Sequence, residues 1–458
     1  MSSKKIFNIA IFVRDQKYYE QIEKYLQKTI AELNNISITF IAESEISTNY
    51  KFINLKEYTK KIQIDINEND FYKSLDSQIW KNKKVYKADP RYVGKTKELS
   101  WIDQYKLISS CRQIFKEEKF DLVFMGAASY LFWIVPHLVA LEMNVLAYKL
   151  LFFDYINPFF KGIRVWFCTD PFWNIRTNSK YDFNWDDNKI NTHVSSLRKS
   201  LIEDDFNLDA TAVALKESFT PTKIRNIVKN LLKLFFRGDY LSKLRLIATR
   251  ESIKNKKIYT DFNKLPNNFL LFPLNMPYDE QLLLRAPGFE DNYENIKYIL
   301  DNLPKNSNLV IKEHPVNPGM LENKLIKNLL KNYPNIFFIS PTVPLRDILS
   351  KSLGLITINS TAGLESLLIN KNILVLGMGY YKDLESVYKV DGVSIKKVLE
   401  QMISGKNIII NEEIELLLER ILNQTFPEPN NFPDKKSEAS RVMNEALHFK
   451  IKQITNFK

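Results

Sequence analysis

Three short runs concentrate chargeable side chains: PLNMPYDEQ at 273–281, LVIKEHP at 309–315 and NSTAGLES at 359–366. The first places Asp279 beside Glu280 in a loop constrained by prolines on both sides of Met276. A fixed carboxylate there suits attack on an anomeric carbon, or proton removal from an acceptor hydroxyl. In the second run Lys312 and His314, one of only four histidines, alternate with Glu313. On a strand the lysine and histidine share one face and the glutamate takes the other, so two potential cations would sit together, suited to a leaving phosphate. The third run offers the hydroxyls of Ser360 and Thr361 just before a helix, whose first N–H groups and positive dipole end favour an anion. Each run also has a plainer reading: solvated acids, a strand-end histidine, and an ordinary Ser/Thr cap followed by a tight turn at Gly363. Taken together they point to a nucleotide phosphate.

The elements around these runs explain how they meet. Apolar segments FLLFPL, LVIK, IFFIS, GLITIN and ILVLG alternate with helical spacing at 293–303, 321–331, 345–352 and 363–368. Five strands and four helices in alternation predict a doubly wound α/β domain, in which ligands bind beyond the carboxyl ends of the strands. Asp279, His314 and the Ser360–Thr361 pair each follow such a strand end. The N-terminal half opens with strand IFNIAIFV, a helix with Ile22, Tyr25, Leu26, Ile30 and Leu33 at helical spacing, and strand ISITFIA. This β-α-β order predicts a second parallel sheet. The run from Leu122 to Leu141 is long enough to span a bilayer, but Gly126, Pro136 and His137 divide it. A buried strand, a turn and a buried helix are expected instead.

At 458 residues with 45% hydrophobic content, the chain predicts more than one core. The formal charge of +12 favours anionic partners. Residues 219–257 hold eleven Lys or Arg against Asp239 and Glu251, a net of +9. Ile224, Ile227, Val228, Leu231, Leu232, Phe235 and Phe236 form an apolar stripe beside that charge. The segment reads either as an amphipathic linker with a solvated basic face or as a surface for peripheral contact with anionic membrane. Nucleic acid is disfavoured because the charge is confined to this segment, away from any reading motif. Two cysteines, Cys111 and Cys168, with no CxxC or HExxH, predict neither a disulfide framework nor a metal site. The apolar run near the N-terminus ends in charge and reads as a strand, so a cytoplasmic location is expected. The expected organisation is an N-terminal acceptor-side α/β domain over 1–218, the basic amphipathic linker over 219–262, a C-terminal nucleotide-sugar donor domain over 263–426, and a final segment over 427–458. There Pro427, Pro429 and Pro433 precede a helix opened by Ser437 that packs back on the first domain.

The order PLNMPYDEQ, VIKEHP and LITINSTAGLESLLINKNILVLGMGYY resembles the capsule polysaccharide synthesis family that contains bacterial Kdo transferases. The likeness covers roughly Phe269 to Tyr381, with a polar residue four before an Asp, K-x-HP, a strand ending in N-S, a Gly-x-Glu helix and a G-x-x-[FY]-Y run. It implies a GT-B-like α/β architecture of two Rossmann-like doubly wound domains facing a central cleft. It also implies a CMP-sugar donor bound in the C-terminal domain, no metal and no further cofactor. On that pattern Asp279 is the nucleophile of a retaining reaction, with His314 as its catalytic partner at the donor. Asn275, Lys312, Ser360, Thr361, Gly363 and Glu365 form the donor site, Glu365 holding the ribose or ordering its helix. The acceptor is a surface or capsular polysaccharide, or a glycolipid, reached at the inner face of the plasma membrane.

The chain departs from the pattern in having Asn275 where Gln is frequent, and GMGYYKDL where some members have GxPFYAGWG. The family's acidic acceptor-side motif is echoed only by Asp154 and by DPFWN at Asp170–Asn174. Two other readings compete with Kdo transfer. A teichoic-acid-type CDP-glycerol polymerase also carries an HP and a serine-rich loop, although INSTAG lacks the Asp and Tyr of its TDYSS-like run. A non-catalytic polysaccharide assembly protein would keep the nucleotide fold without turnover.

Overall fold

The computed structural model describes residues 6–80, 84–85, 97–126, 130–153, 164–169, 183–202, 258–276, 280–283, 285–314, 321–405, 409–428 and 438–456. They fall into two compact units, one drawn from Met1–Leu197, Leu283–Arg285 and Glu415–Lys458, the other from Arg198–Leu282 and Ala286–Ile414.

Unit 1 is built on β1 (Phe7–Phe12), β2 (Ile36–Ala42), β3 (Lys51–Asn54), β4 (Leu122–Gly126), β5 (Leu146–Phe153), β6 (Arg164–Cys168) and β14 (Thr425–Phe426), in spatial order β14-β6-β5-β4-β1-β2-β3. The five strands from β3 to β5 run parallel, while β6 pairs antiparallel with β5 and β14 antiparallel with β6. Strand order therefore reverses beside β1, as in a Rossmann-like sheet. The first helix, Gln16–Glu32, starts where Asp15 accepts a hydrogen bond from the Tyr18 amide. It buries Tyr19, Ile22, Tyr25, Leu26 and Thr29, a stripe at helical spacing. The helix Ala439–Asn456 covers that side with Val442, Met443, Ala446, Leu447 and Ile451, and its Asn444 amide donates to the Lys24 carbonyl at 3.2 Å. The Leu122–Leu141 run resolves into β4 and the helix Leu131–Glu142, which contains Pro136 and is buried on every side from Leu131 to Ala140. No helix among the described residues is long and apolar enough to cross a membrane.

Unit 2 carries β7 (Tyr259–Thr260), β8 (Phe269–Pro273), β9 (Asn308–Lys312), β10 (Ile336–Ile339), β11 (Gly354–Thr357), β12 (Ile373–Val375) and β13 (Tyr388–Lys389). Their order is β13-β12-β11-β8-β9-β10-β7, and every pairing is parallel. Counted from β8, this is the Rossmann-like order 3-2-1-4-5-6, with β7 added beyond the third strand and the reversal between β8 and β11. Helices on the faces of a parallel sheet bury both sides of its strands, which is why Phe269–Phe272 and Leu309–Ile311 read as unbroken apolar runs. Each such side chain contributes about 1.5–3 kcal/mol on full burial.

The boundaries differ from the sequence reading at two places. The strand Tyr259–Thr260 falls inside the expected linker, yet it pairs with Phe338–Ile339 and so belongs to the sheet of unit 2. At the other end the units divide inside the helix Asn411–Leu422 rather than at 426, because Thr425 and Phe426 extend the sheet of unit 1 by pairing with Trp166 and Val165.

Candidate functional site

In unit 2 the carboxyl ends of three neighbouring strands, β9, β8 and β11, carry Lys312, Asn275 and Ser360 respectively. Pro273 pairs with Lys312 across β8 and β9, and Leu271 pairs with Leu355 across β8 and β11, which sets these ends side by side at the reversal of strand order. Asn275 is buried, and its carbonyl accepts from the Asn292 side-chain amide at 2.9 Å. Asp279, expected on the same loop, lies outside the described residues, as do Asp154, Asp170–Asn174 and the basic stretch 219–257.

Lys312 is 4% exposed and donates from Nζ to the Pro341 carbonyl at 2.8 Å, which ties the end of β9 to the end of β10. Its charge acts on both neighbours expected at the site. His314 is held below its ordinary value, first by burial and then by the Lys312 cation. Near neutral pH the histidine is therefore uncharged, and Lys312 supplies the positive charge that the sequence had divided between the two. Glu313 is 2% exposed and accepts a 2.6 Å hydrogen bond from the Tyr259 hydroxyl, a partner contributed by β7. The strand ends at Lys312, so a simple alternation of faces does not describe the two residues after it.

The loop after β11 is more constrained than its serine and threonine suggest. Ser360 is the N-cap residue of the helix Thr361–Leu368, but its side chain makes no capping bond. Its Oγ lies 2.9 Å from the Thr357 Oγ1, its amide donates to that same oxygen at 3.1 Å, and its carbonyl accepts from the Tyr381 hydroxyl. Ser360 is thus fixed through three groups, and the start of the helix keeps amide hydrogens that this side chain does not satisfy. Thr361 is exposed at the first helical position. Gly363 lies under the Tyr381 ring: a Cβ there would come within 2.7 Å of Cε2 and nearer still to Cζ and Oη. Its role in the structure is to admit that ring, which is 0% exposed. Glu365 retains some accessible surface as a residue, while burial around its carboxyl raises the pKa to about 7 against the opposing pull of Lys312.

The structure therefore brings Asn275, Lys312, His314, Ser360, Thr361, Gly363 and Glu365 to one edge of one sheet. It adds Thr357, Tyr381 and the Tyr259–Glu313 pair. Tyr381 was visible in the GMGYY run without a role; a glycine one turn into a buried helix, with aromatics following the next strand, is the signal that links them.

Residues 226–401 match the family model described as capsule polysaccharide biosynthesis protein. By sequence, this segment resembles that family. The capsule polysaccharide modification protein LipB of Neisseria meningitidis is 31% identical over 121 residues, 25% of this chain and 29% of that protein. The capsule polysaccharide export protein KpsS of Escherichia coli is 32% identical over 127 residues, 26% of this chain and 32% of that protein. The chain thus spans about a third of the length of these relatives. Among solved structures, the β-Kdo 2,7 transferase KpsC of Thermosulfurimonas dismutans aligns over 96% of this chain and 99% of its own, at 12% identity and a TM-score of 0.37. A UDP-GlcNAc 2-epimerase from Neisseria meningitidis covers 96% and 99% at 14% identity and a TM-score of 0.25. The assignment of two Rossmann-like units rests on the strand order of the chain itself.

Proposed function

We propose that the protein is a glycosyltransferase that moves an ulosonic acid, Kdo, from its CMP derivative onto a capsular polysaccharide or lipid-linked acceptor. The observation that carries this reading is the uncapped start of the helix Thr361–Leu368, held rigidly beside Lys312 at the reversal of strand order in the segment of capsule-family sequence. Such a helix end favours a phosphate through its amide hydrogens and dipole. Both interactions strengthen as charge develops on the departing CMP phosphate.

In the reaction proposed, the Asp279 carboxylate forms a bond to the anomeric carbon as the bond from that carbon to the phosphate oxygen breaks, and CMP leaves with the electron pair. An acceptor hydroxyl then attacks that carbon as its bond to Asp279 breaks, the carboxylate leaving with the electron pair and the hydroxyl proton passing to solvent. His314, kept neutral by burial and by Lys312, offers a hydrogen bond to the phosphate without adding a second charge. Glu365 lies on the same helix as Thr361, one turn further along, where a carboxyl can meet the ribose hydroxyls.

Thermal unfolding with added nucleotides tests the donor. CMP is expected to raise the transition more than UMP or GMP at equal concentration, because a ligand that binds the folded state stabilises it by mass action. Equal shifts with all three would defeat the CMP assignment. Intact mass of the protein incubated with CMP-Kdo tests the nucleophile: an added ulosonic acid is expected on the parent and absent from Asp279→Asn. A parent that turns over without any adduct would point to single displacement.

A further inference from the structure

The loop between β12 and β13 carries Tyr381, which reaches back to hold the first turn of the helix Thr361–Leu368. Its hydroxyl donates to the Ser360 carbonyl, and the Gly363 amide donates to the same oxygen at 3.0 Å. The position of that one oxygen therefore sets where the Thr361 and Ala362 amides point. Within the loop the turns close in succession. The Lys382 amide donates to the Gly379 carbonyl at 2.9 Å, the Leu384 amide to the Tyr381 carbonyl and the Val387 amide to the Leu384 carbonyl, both at 3.3 Å. Tyr381 is thus tied to whatever fixes the far end of the loop at Ser386.

What fixes Ser386 is Glu413. One carboxylate oxygen, Oε1, accepts from the Glu385 amide at 2.9 Å. The other, Oε2, accepts from the Ser386 amide at 3.0 Å and from the Ser386 hydroxyl at 2.7 Å. Ser386 is 2% exposed, and its Oγ in turn accepts from the Ile410 amide at 2.9 Å. Glu413 stands with Glu412 in the first turn of the helix Asn411–Leu422, where the helix dipole favours negative charge. Burial alone would raise its carboxyl, but the Ser386 hydroxyl, the two amides and the Lys389 charge outweigh that and hold the group below its ordinary value. It is therefore ionised near neutral pH, and hydrogen bonds to an ionised acceptor are roughly twice as strong as neutral ones. Glu413 also lies beyond residues 226–401, outside the segment of capsule-family likeness.

We propose that Glu413 is a positioning residue for the anion site at the start of the helix Thr361–Leu368, acting through Ser386 and the Tyr381 hydroxyl on the Ser360 carbonyl. The proposal rests on the reading that a nucleotide phosphate binds at that helix start. A phosphate held by backbone amides depends steeply on their direction, because an N–H···O bond weakens as its angle departs from linear. Loss of the Glu413 charge frees the Ser386 end of the loop, and the Tyr381 hydroxyl then no longer fixes the shared oxygen. Affinity for the nucleotide falls, while the nucleoside, which has no phosphate to place, binds as before.

The experiment is titration calorimetry of CMP on the full chain, with cytidine read by its displacement of CMP, in the parent, Glu413→Gln, Tyr381→Phe and the double variant. Glu413→Gln is expected to lower CMP affinity roughly tenfold, the scale of one hydrogen bond to a charged group, and to leave cytidine affinity unchanged. Tyr381→Phe should do the same, and the double variant should lose no more than the larger single loss, because both substitutions break one relay. Should Glu413→Gln not fold, Glu413→Asp keeps the charge without the reach and is expected to show a smaller loss of the same kind. Unchanged CMP affinity would overturn the proposal, as would an equal loss for cytidine, the mark of general damage, or additive losses in the double variant. UMP and uridine run on the same samples separate the two readings. A parent that prefers UMP would refute the CMP assignment and leave the role of Glu413 to be read on UMP against uridine, whereas a parent that binds no nucleoside monophosphate would overturn both.

Discussion

Replacing Gly363 with alanine should destabilise unit 2, against what helix propensity alone would predict. Alanine in place of glycine inside a helix is ordinarily worth about 0.5–1 kcal/mol in its favour. Here the new Cβ would come within 2.7 Å of the Tyr381 Cε2, with Cζ and Oη closer still. The ring has no room to retreat, since Tyr381 is 0% exposed, and its hydroxyl is bonded to the Ser360 carbonyl. Overpacking a dense site costs about 1–3 kcal/mol, and losing the hydroxyl bond adds about 1 kcal/mol. The clash outweighs the propensity gain, leaving a net loss on the order of 1–3 kcal/mol. For a unit of this size that lowers the thermal midpoint by about 2–4 °C per kcal/mol. Tyr381→Phe should not rescue the alanine, because Cζ and Cε2 remain in place, whereas Tyr381→Ala should remove most of the penalty of Gly363→Ala. Thermal unfolding of the four combinations measures this as a coupling energy. A Gly363→Ala protein as stable as its parent, or strictly additive effects with Tyr381→Ala, would refute the reasoning.

Two further outcomes follow from the same cluster. The Glu365 carboxyl titrates near 7 in the folded protein, against an ordinary value of 4.5. The folded state therefore keeps a proton that the unfolded chain has already lost, and stability contributed below pH 4.5 is withdrawn as pH rises through about 7. Urea unfolding across that window should show the parent losing up to about 3 kcal/mol relative to Glu365→Gln, and parallel curves for the two proteins would contradict it. Tyr259→Phe removes the donor that meets Glu313 Oε2 at 2.6 Å in a residue only 2% exposed, and should cost about 1.5–3 kcal/mol. The cost should shrink in a Glu313→Gln background; an unchanged midpoint in Tyr259→Phe would show that the pair contributes nothing.

Much of unit 2 was legible because its strands are buried on both faces and so stand out as apolar runs, each closed by a polar residue. The expected helices at 293–303, 321–331 and 345–352 correspond to Asn292–Asn302, Asn323–Asn332 and Leu345–Lys351. Several of the strands that escaped notice are short or are interrupted by a charged residue. Tyr259–Thr260 and Tyr388–Lys389 are two residues long, Lys51–Asn54 begins on a lysine, and Leu146–Phe153 has the fully buried Lys149 at its centre. At the site, sequence order showed which residues follow strand ends but not what holds them. Glu313 finds its partner 54 positions away in what read as a linker, and Ser360 is fixed by Tyr381 from 21 positions away. The charge on His314 was misjudged for a related reason: whether an imidazole is ionised depends on burial and on how near a lysine sits, and periodicity reports neither.

The pairing of Thr425 and Phe426 with β6, together with the helix Ala439–Asn456 on Gln16–Glu32, has a consequence for how the chain matures. The strands from β1 onward and residues 415–456 belong to the same core, while nearly all of unit 2 lies in a single stretch between them. On the ribosome, unit 2 can therefore close while unit 1 still lacks an outer strand and a covering helix, although unit 1 is begun first. A nascent chain halted near residue 414 would carry a finished unit 2 and an open N-terminal sheet. The apolar surface that Val442, Met443, Ala446, Leu447 and Ile451 cover in the finished unit would be the one that a chaperone meets.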